Sequence, residues 1–364
     1  MANPHTGFHR LSNQRIIGTK FEQPEAVPRW MGALQAQDYA QAVWAIGVRT
    51  LAATLADIEQ AISARKLLRT WPMRGTIHFV PPEDAKWMLR LSAARMVAAD
   101  RRRQEQLGLN KAILEHCEQL FYDALHGDRL FLRSEMLTLL ENAGISADNQ
   151  RGYHILWYAA QTGLICLGPM QNKQQTFVLL DDWAPNAREL SREEALAELA
   201  GRYFTSHGPA TAYDFAWWAG ITLTDARFGL AAASKGWGSE TIDGKKYWRT
   251  GEPALPAASD PESIYLLPGF DEYLLGYTDR SAVLGGEHAQ KIVPGGNGVF
   301  RPMLVIGGQV LGGWQRSQKK NSVKITISPF IPLTVPEERL FAAAQRYTDF
   351  LGLPLSSLVI EDSK

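Results

Sequence analysis

The segment Gly32-Ala33-Leu34-Gln35-Ala36-Gln37-Asp38-Tyr39 stands out for the chemistry of its side chains. A neutral amide accepts a hydrogen bond from water through its carbonyl oxygen while its NH2 group donates elsewhere. Gln35 and Gln37 fall at the end of a stretch, 26–36, whose pattern predicts a helix, and residues two apart on a helix point about 200° away from each other. The two amides reach a common site only if the helix stops before them and the backbone turns extended. The alternative is a polar helix end whose amides cap carbonyls. A second segment, Arg69-Thr70-Trp71-Pro72-Met73-Arg74-Gly75-Thr76-Ile77-His78, alternates Arg, Thr and His outward on an expected hairpin. That arrangement offers donors to phosphates. An exposed polar strand face accounts for it equally well.

Several chemistries lack their residues. The chain has no G-x-x-x-x-G-K-[ST], no H-E-x-x-H, no Cys/His cluster and no G-x-S-x-G elbow. The glycines around Pro294–Gly298 and at 307–308 and 312–313 sit in β-patterned turns, away from any strand-to-helix junction. His5 and His9 share i,i+4 spacing but lie near the start of the sequence, where exposure explains them better than metal binding. No metal or cofactor is expected. Only Cys117 and Cys166 are present, which points to a reducing compartment.

The 364 residues carry 38 Lys+Arg and 38 Asp+Glu, with 45% hydrophobic and 21% charged content. Such a balance excludes a disordered chain and an indiscriminate polyanion binder. The charge is nevertheless segregated. Ten Lys/Arg lie between Arg65 and Arg103 against Glu83, Asp84 and Asp100, and five lie between Arg301 and Lys324 with no acid. The acids concentrate between Glu252 and Glu287, opposed only by Arg280. A basic face suits a phosphate backbone, although solvated helix faces produce the same runs. No apolar run approaches the length of a bilayer span, and the first 25 residues hold no apolar block. The expectation is a cytoplasmic monomer with no membrane association.

The elements that would position these residues repeat. Helices are predicted at 9–20, 26–36 and 55–65, then a hairpin at 67–80 and a long basic helix opened by Pro81-Pro82 and stopped at Gly108. Helices at 111–126, from Ser134 to Gly144 and at 151–162 precede a second hairpin, 164–167 with 177–180. A third set, 191–206, 210–220 and 225–234, leads to a hairpin turning at Asp243-Gly244. Within it, Phe215, Trp217 and Trp218 read as core, with a partner surface as the alternative. The pattern predicts an α+β chain of three winged-helix units, 1–108, 109–190 and 191–252, and a β-rich region, 262–364. Between them, Pro253–Pro261 reads as a linker. The β-rich region has strands at 299–306, 309–314 and 323–327, a basic loop at Gln315–Asn321 and a final helix at 337–351. That loop either enters a groove of DNA or serves solubility.

Gly32–Asp38 and Met73-Arg74-Gly75-Thr76-Ile77-His78, followed by Leu267-Pro268-Gly269-Phe270-Asp271 and Gly312-Gly313-Trp314, resemble the AlkZ-like DNA glycosylases in the same order over nearly the whole chain. These form the winged-helix family that includes the azinomycin-resistance glycosylase. The resemblance implies three winged helices around a concave DNA-binding channel, with a Q-x-Q motif carrying catalysis, here Gln35 and Gln37. A sister branch carries a carboxylate at the second position, and this chain has glutamine there. The implied activity is hydrolysis of the N-glycosidic bond of N7-alkylated purines in double-stranded DNA without cofactor, with interstrand crosslinks a further candidate substrate. Gln37 would position the water and Gln35 orient it or contact the sugar-phosphate. Asp38 is a candidate electrostatic stabiliser, with a helix-end role as the alternative. Phosphate contacts are expected from Arg74, Thr76, His78, Arg101, Arg102, Arg301, Arg316, Lys319 and Lys320. The rival class is a non-catalytic winged-helix regulator, which would prefer a particular undamaged sequence.

Overall fold

The computed structural model describes residues 5–251, 260–296 and 298–363. The linker expected at Pro253–Pro261 lies almost wholly outside them. The architecture is mixed α+β, with helix–hairpin segments followed by a β-rich C-terminal region. The chain divides into two compact units, one holding Glu59–Leu196 with Ala219–Ile221, the other the chain up to Ile58, Ala197–Trp218 and Thr222 onward. Among the described residues, no helix is long and apolar enough to cross a membrane.

In the unit built on 59–196, both predicted hairpins form and share one sheet. Leu68–Met73 pairs with Thr76–Val80, and Ile165–Leu167 with Thr176–Leu179. Arg69 opposite Leu167 joins the two hairpins, and Phe131–Leu132 extends the sheet beside Thr176. The register slips between Thr70 and Met73, where Pro72 offers no N–H to a ladder. The freed carbonyls are satisfied from helices, Pro72 by the Ser92 hydroxyl at 2.7 Å and Trp71 by the Gln161 amide at 3.1 Å. The basic helix runs Ala85–Gln106 and stops as expected before Gly108, whose φ is 64°.

The outward polar face expected on the first hairpin is not there. Every residue of Leu68–Met73 is buried, and Arg69, Thr70 and His78 are fully so. A strand with neighbours on both edges and helices against it has no solvent face to give its polar residues.

The other unit contains a five-stranded sheet in the order Leu355–Ile360, Ser322–Pro329, Gln309–Lys319, Met303–Ile306 and Ile264–Leu267. The strand expected at 309–314 continues to Lys319, and Lys319 pairs with Ser322. The long loop foreseen at Gln315–Asn321 is therefore strand ending in a two-residue turn. Trp44 and Trp314 donate to the carbonyls of Leu266 and Leu267, each at 2.7 Å, and both edge onto Tyr347 of the final helix, Glu337–Leu351. Gly47 lies so close to Phe350 that a Cβ would sit 2.6 Å from its ring. The helix Tyr39–Gly47 thus docks on the final helix. The third hairpin, Gly238–Ile242 with Lys245–Arg249, turns at Asp243-Gly244 with φ of 49° and 74°, as that dipeptide predicts. Trp218 and Phe215 are fully buried, in line with the core reading, while Trp217 is 37% exposed.

Candidate active site

The site builds outward from a glycine. The helix Ala26–Met31 ends at Gly32, whose φ of 84° suits a residue without a Cβ. The predicted helix 26–36 is therefore cut short, and Leu34–Gln35 is extended. Ala33, Leu34 and Ala36 are fully buried and fasten the strand from inside. The helix thus stops before both glutamines, with Gln35 in the short extended stretch and Gln37 in the bend that follows it.

The two amides occupy different environments. Gln35 is 8% exposed, and its Oε1 accepts the main-chain N–H of Gln37 at 3.2 Å. Gln37 is exposed. Asp38 accepts the N–H of Gln41 at 3.2 Å and caps Tyr39–Gly47, the helix-end role weighed for it. Gln41 in turn accepts the N–H of Gly269 at 2.9 Å, tying the Leu267–Asp271 motif to the same helix.

Beneath Gln35 lies a buried polar network that sequence reasoning did not find. The Gln35 N–H donates to Glu272 Oε1 at 3.1 Å, and the Trp218 indole donates to Glu272 Oε2 at 2.8 Å. His207 Nε2 stands 3.6 Å from the same oxygen. Burial lowers the His207 pKa below its usual value despite that carboxylate, which disfavours the charged ring. Asp271 is gripped by both terminal nitrogens of Arg49 at 2.8 Å, and Arg49 also donates to Gln14 Oε1 at 2.8 Å. The acidic pair at the end of Leu267–Asp271-Glu272 was the available signal, since two adjacent acids in an apolar stretch need buried partners.

The proposed phosphate contacts separate by exposure. Arg101 and Arg102 are exposed on the basic helix, with Arg101 bridged to Glu105 at 3.2 Å. Lys319, Lys320 and Arg301 are exposed. Arg316 is partly covered and hydrogen-bonded to the Tyr347 hydroxyl; burial lowers its pKa, and the nearby Asp38 carboxylate opposes that. Arg74 sits at a φ of 52° beside Gly75, and Thr76 bonds the Met73 carbonyl at 3.4 Å. His78 is buried with Nδ1 2.9 Å from the Thr76 carbonyl and Nε2 3.3 Å from Arg74 Nη2. An imidazole that donates from Nδ1 and accepts at Nε2 satisfies both contacts, so His78 braces Arg74 from below.

A profile of the family described as "DNA glycosylase AlkZ-like" matches residues 29–350, and the chain belongs to that family. It is similar to an "Interstrand DNA cross-link repair glycosylase" of Streptomyces sahachiroi, 27% identical over 314 residues, 82% of each chain. Its fold is that of the solved Streptomyces sahachiroi DNA glycosylase AlkZ, with a TM-score of 0.82 at 22% identity over 99% of this chain and 100% of that one.

Proposed function

We propose that the protein is a monofunctional DNA repair glycosylase that hydrolyses the N-glycosidic bond of N7-alkylated purines in double-stranded DNA, interstrand crosslinks among them. The observation that carries this reading is the contrast in environment between the two amides. Gln35 is buried with its carbonyl oxygen spent on the Gln37 main chain, while Gln37 presents its side chain at the surface.

Alkylation at N7 makes the base cationic and hence a good leaving group. The bond from the sugar C1′ to N9 breaks, and its electron pair leaves with the base and neutralises that charge. No general acid is required. The oxocarbenium-like sugar is then captured by a water whose proton passes to solvent, leaving an abasic site. The protein has only to place the water and favour positive charge on the sugar. Gln37 does the first by accepting from the water, Gln35 orients Gln37, and Asp38 contributes a negative charge from its helix cap. Arg101, Arg102, Arg301, Lys319 and Lys320 bind phosphates directly, with Arg74, Thr76 and Arg316 from partly covered positions and His78 acting through Arg74. We further propose that the helix–hairpin segments 1–108, 109–190 and 191–252 work as winged helices, and that the protein acts as a monomer at the nucleoid in the cytoplasm.

A neutral amide is a weak catalyst, so substrates should be restricted to bases already primed to leave. Duplexes carrying a single N7-methylguanine should yield alkali-labile sites, and undamaged duplexes of the same sequence none. Release of unmodified adenine or guanine would overturn this mechanism. Tight binding to one undamaged sequence without release from the lesion would identify a regulator instead.

A further inference from the structure

Glu272 and Trp218 do more than fill the interior. We infer that they form a clamp that positions the glutamine segment, Glu272 holding the Gln35 main chain and Trp218 holding both Glu272 and the turn that launches the segment; the inference rests on the glycosylase reading above.

The geometry closes on itself. Glu272 Oε1 takes the Gln35 N–H at 3.1 Å, and Oε2 takes the Trp218 indole N–H at 2.8 Å. The Trp218 ring meanwhile lies on Gly32, with its Cη2 atom 3.3 Å from where a Cβ would stand. One tryptophan therefore touches the turn at 32 and the carboxylate that fixes residue 35. Glu272 is itself held on the side of its main chain, since its carbonyl accepts from Gln14 Nε2 at 3.3 Å and its neighbour Asp271 is gripped by Arg49. Glu272 is 1% exposed and Trp218 fully buried. An apolar side chain would fill such a place at lower cost than a carboxylate. What the carboxylate supplies is two acceptors facing two N–H groups at once, and one of those groups belongs to the first glutamine. Gln35 then passes the constraint on through its own Oε1 to the Gln37 N–H.

Glu272 is thus a positioning residue, with no contact to substrate required of it. Glu272→Gln keeps the shape but replaces one acceptor with an NH2 group, which must face either the Gln35 N–H or the indole N–H, donor against donor. Trp218→Phe removes the second donor while keeping an aromatic ring against Gly32. The double variant then lets the amide oxygen serve Gln35 with its NH2 turned toward His207.

Single-turnover release of N7-methylguanine should fall about a hundred-fold in Glu272→Gln, the scale of a misplaced catalytic group, with the affinity for lesion DNA unchanged. The Glu272→Gln/Trp218→Phe variant should recover at least about ten-fold of that loss, a non-additivity that a general loss of packing would not produce. Hydrogen exchange at the Gln35 amide provides a readout independent of activity. Its protection should disappear in Glu272→Gln and return in the double variant. A wild-type rate in Glu272→Gln, or additive losses in the double variant, overturns the clamp. If the wild-type protein releases no base while Gln35 protection follows the predicted pattern, the glycosylase reading fails and the clamp stands. If protection is indifferent to Glu272, the clamp fails whatever the activity.

Discussion

Two hairpins look alike in the sequence and differ in the folded chain. Leu68–Val80 and Gln309–Pro329 both carry basic and hydroxyl residues around a tight turn, and both suggest a surface for phosphates. In the first, a neighbouring strand and two helices cover the polar residues, so that Arg69, Thr70 and His78 become interior. In the second, the inward side chains Trp314, Val323, Ile325 and Ile327 are buried, while Gln315 and Ser317 through Lys320 stay exposed up to the Lys319–Lys320 tip. The same residue types are interior in one place and exposed to solvent in the other. What decides between them is the company of non-local elements.

Substitutions should separate the two hairpins by what they damage. The largest effect is expected from Phe79→Ala, a fully buried ring in the first hairpin, at about 3–5 kcal/mol of stability in urea unfolding. A loss under about 1 kcal/mol would mean that this hairpin is not the packed element described. His78→Ala should cost about 1–3 kcal/mol, because the Thr76 carbonyl and the Arg74 guanidinium each lose a partner. It should also weaken binding to DNA by releasing Arg74, and unchanged affinity would remove Arg74 from the interface. Lys319→Ala/Lys320→Ala should leave stability within about 0.5 kcal/mol. Its effect is on binding, weakened alike at every sequence, with the salt dependence of log K flattened by about 2 units. An unaltered slope would take the tip off the DNA.

The glutamine segment was legible because the requirement that the helix stop before it could be stated in advance, and Gly32 meets that requirement. The Asp243-Gly244 turn and the end of the basic helix at Gly108 were legible because each is decided by a few adjacent residues. The helix Tyr39–Gly47 was not, since its run of Ala42–Gly47 is buried all round and shows no periodicity to read. The strand Leu355–Ile360 was missed for a different reason: it is half-exposed and pairs in parallel with a strand some thirty residues earlier. The outward face assigned to Leu68–Met73 failed because the helix Arg151–Gln161, from far along the chain, packs against that strand together with the basic helix Ala85–Gln106. Glu272 lay hidden for the same reason, its two donors arriving from residues 35 and 218.

We propose that Gln37 places the water that replaces a cationic purine. The direct test is single-turnover release of N7-methylguanine from a duplex by the wild-type protein and by Gln37→Ala, with binding to the same duplex measured alongside. The wild type should leave an alkali-labile abasic site, and Gln37→Ala should bind equally well while releasing base about a hundred-fold more slowly or not at all. Release at the wild-type rate by Gln37→Ala would contradict the assignment and move catalysis to other residues.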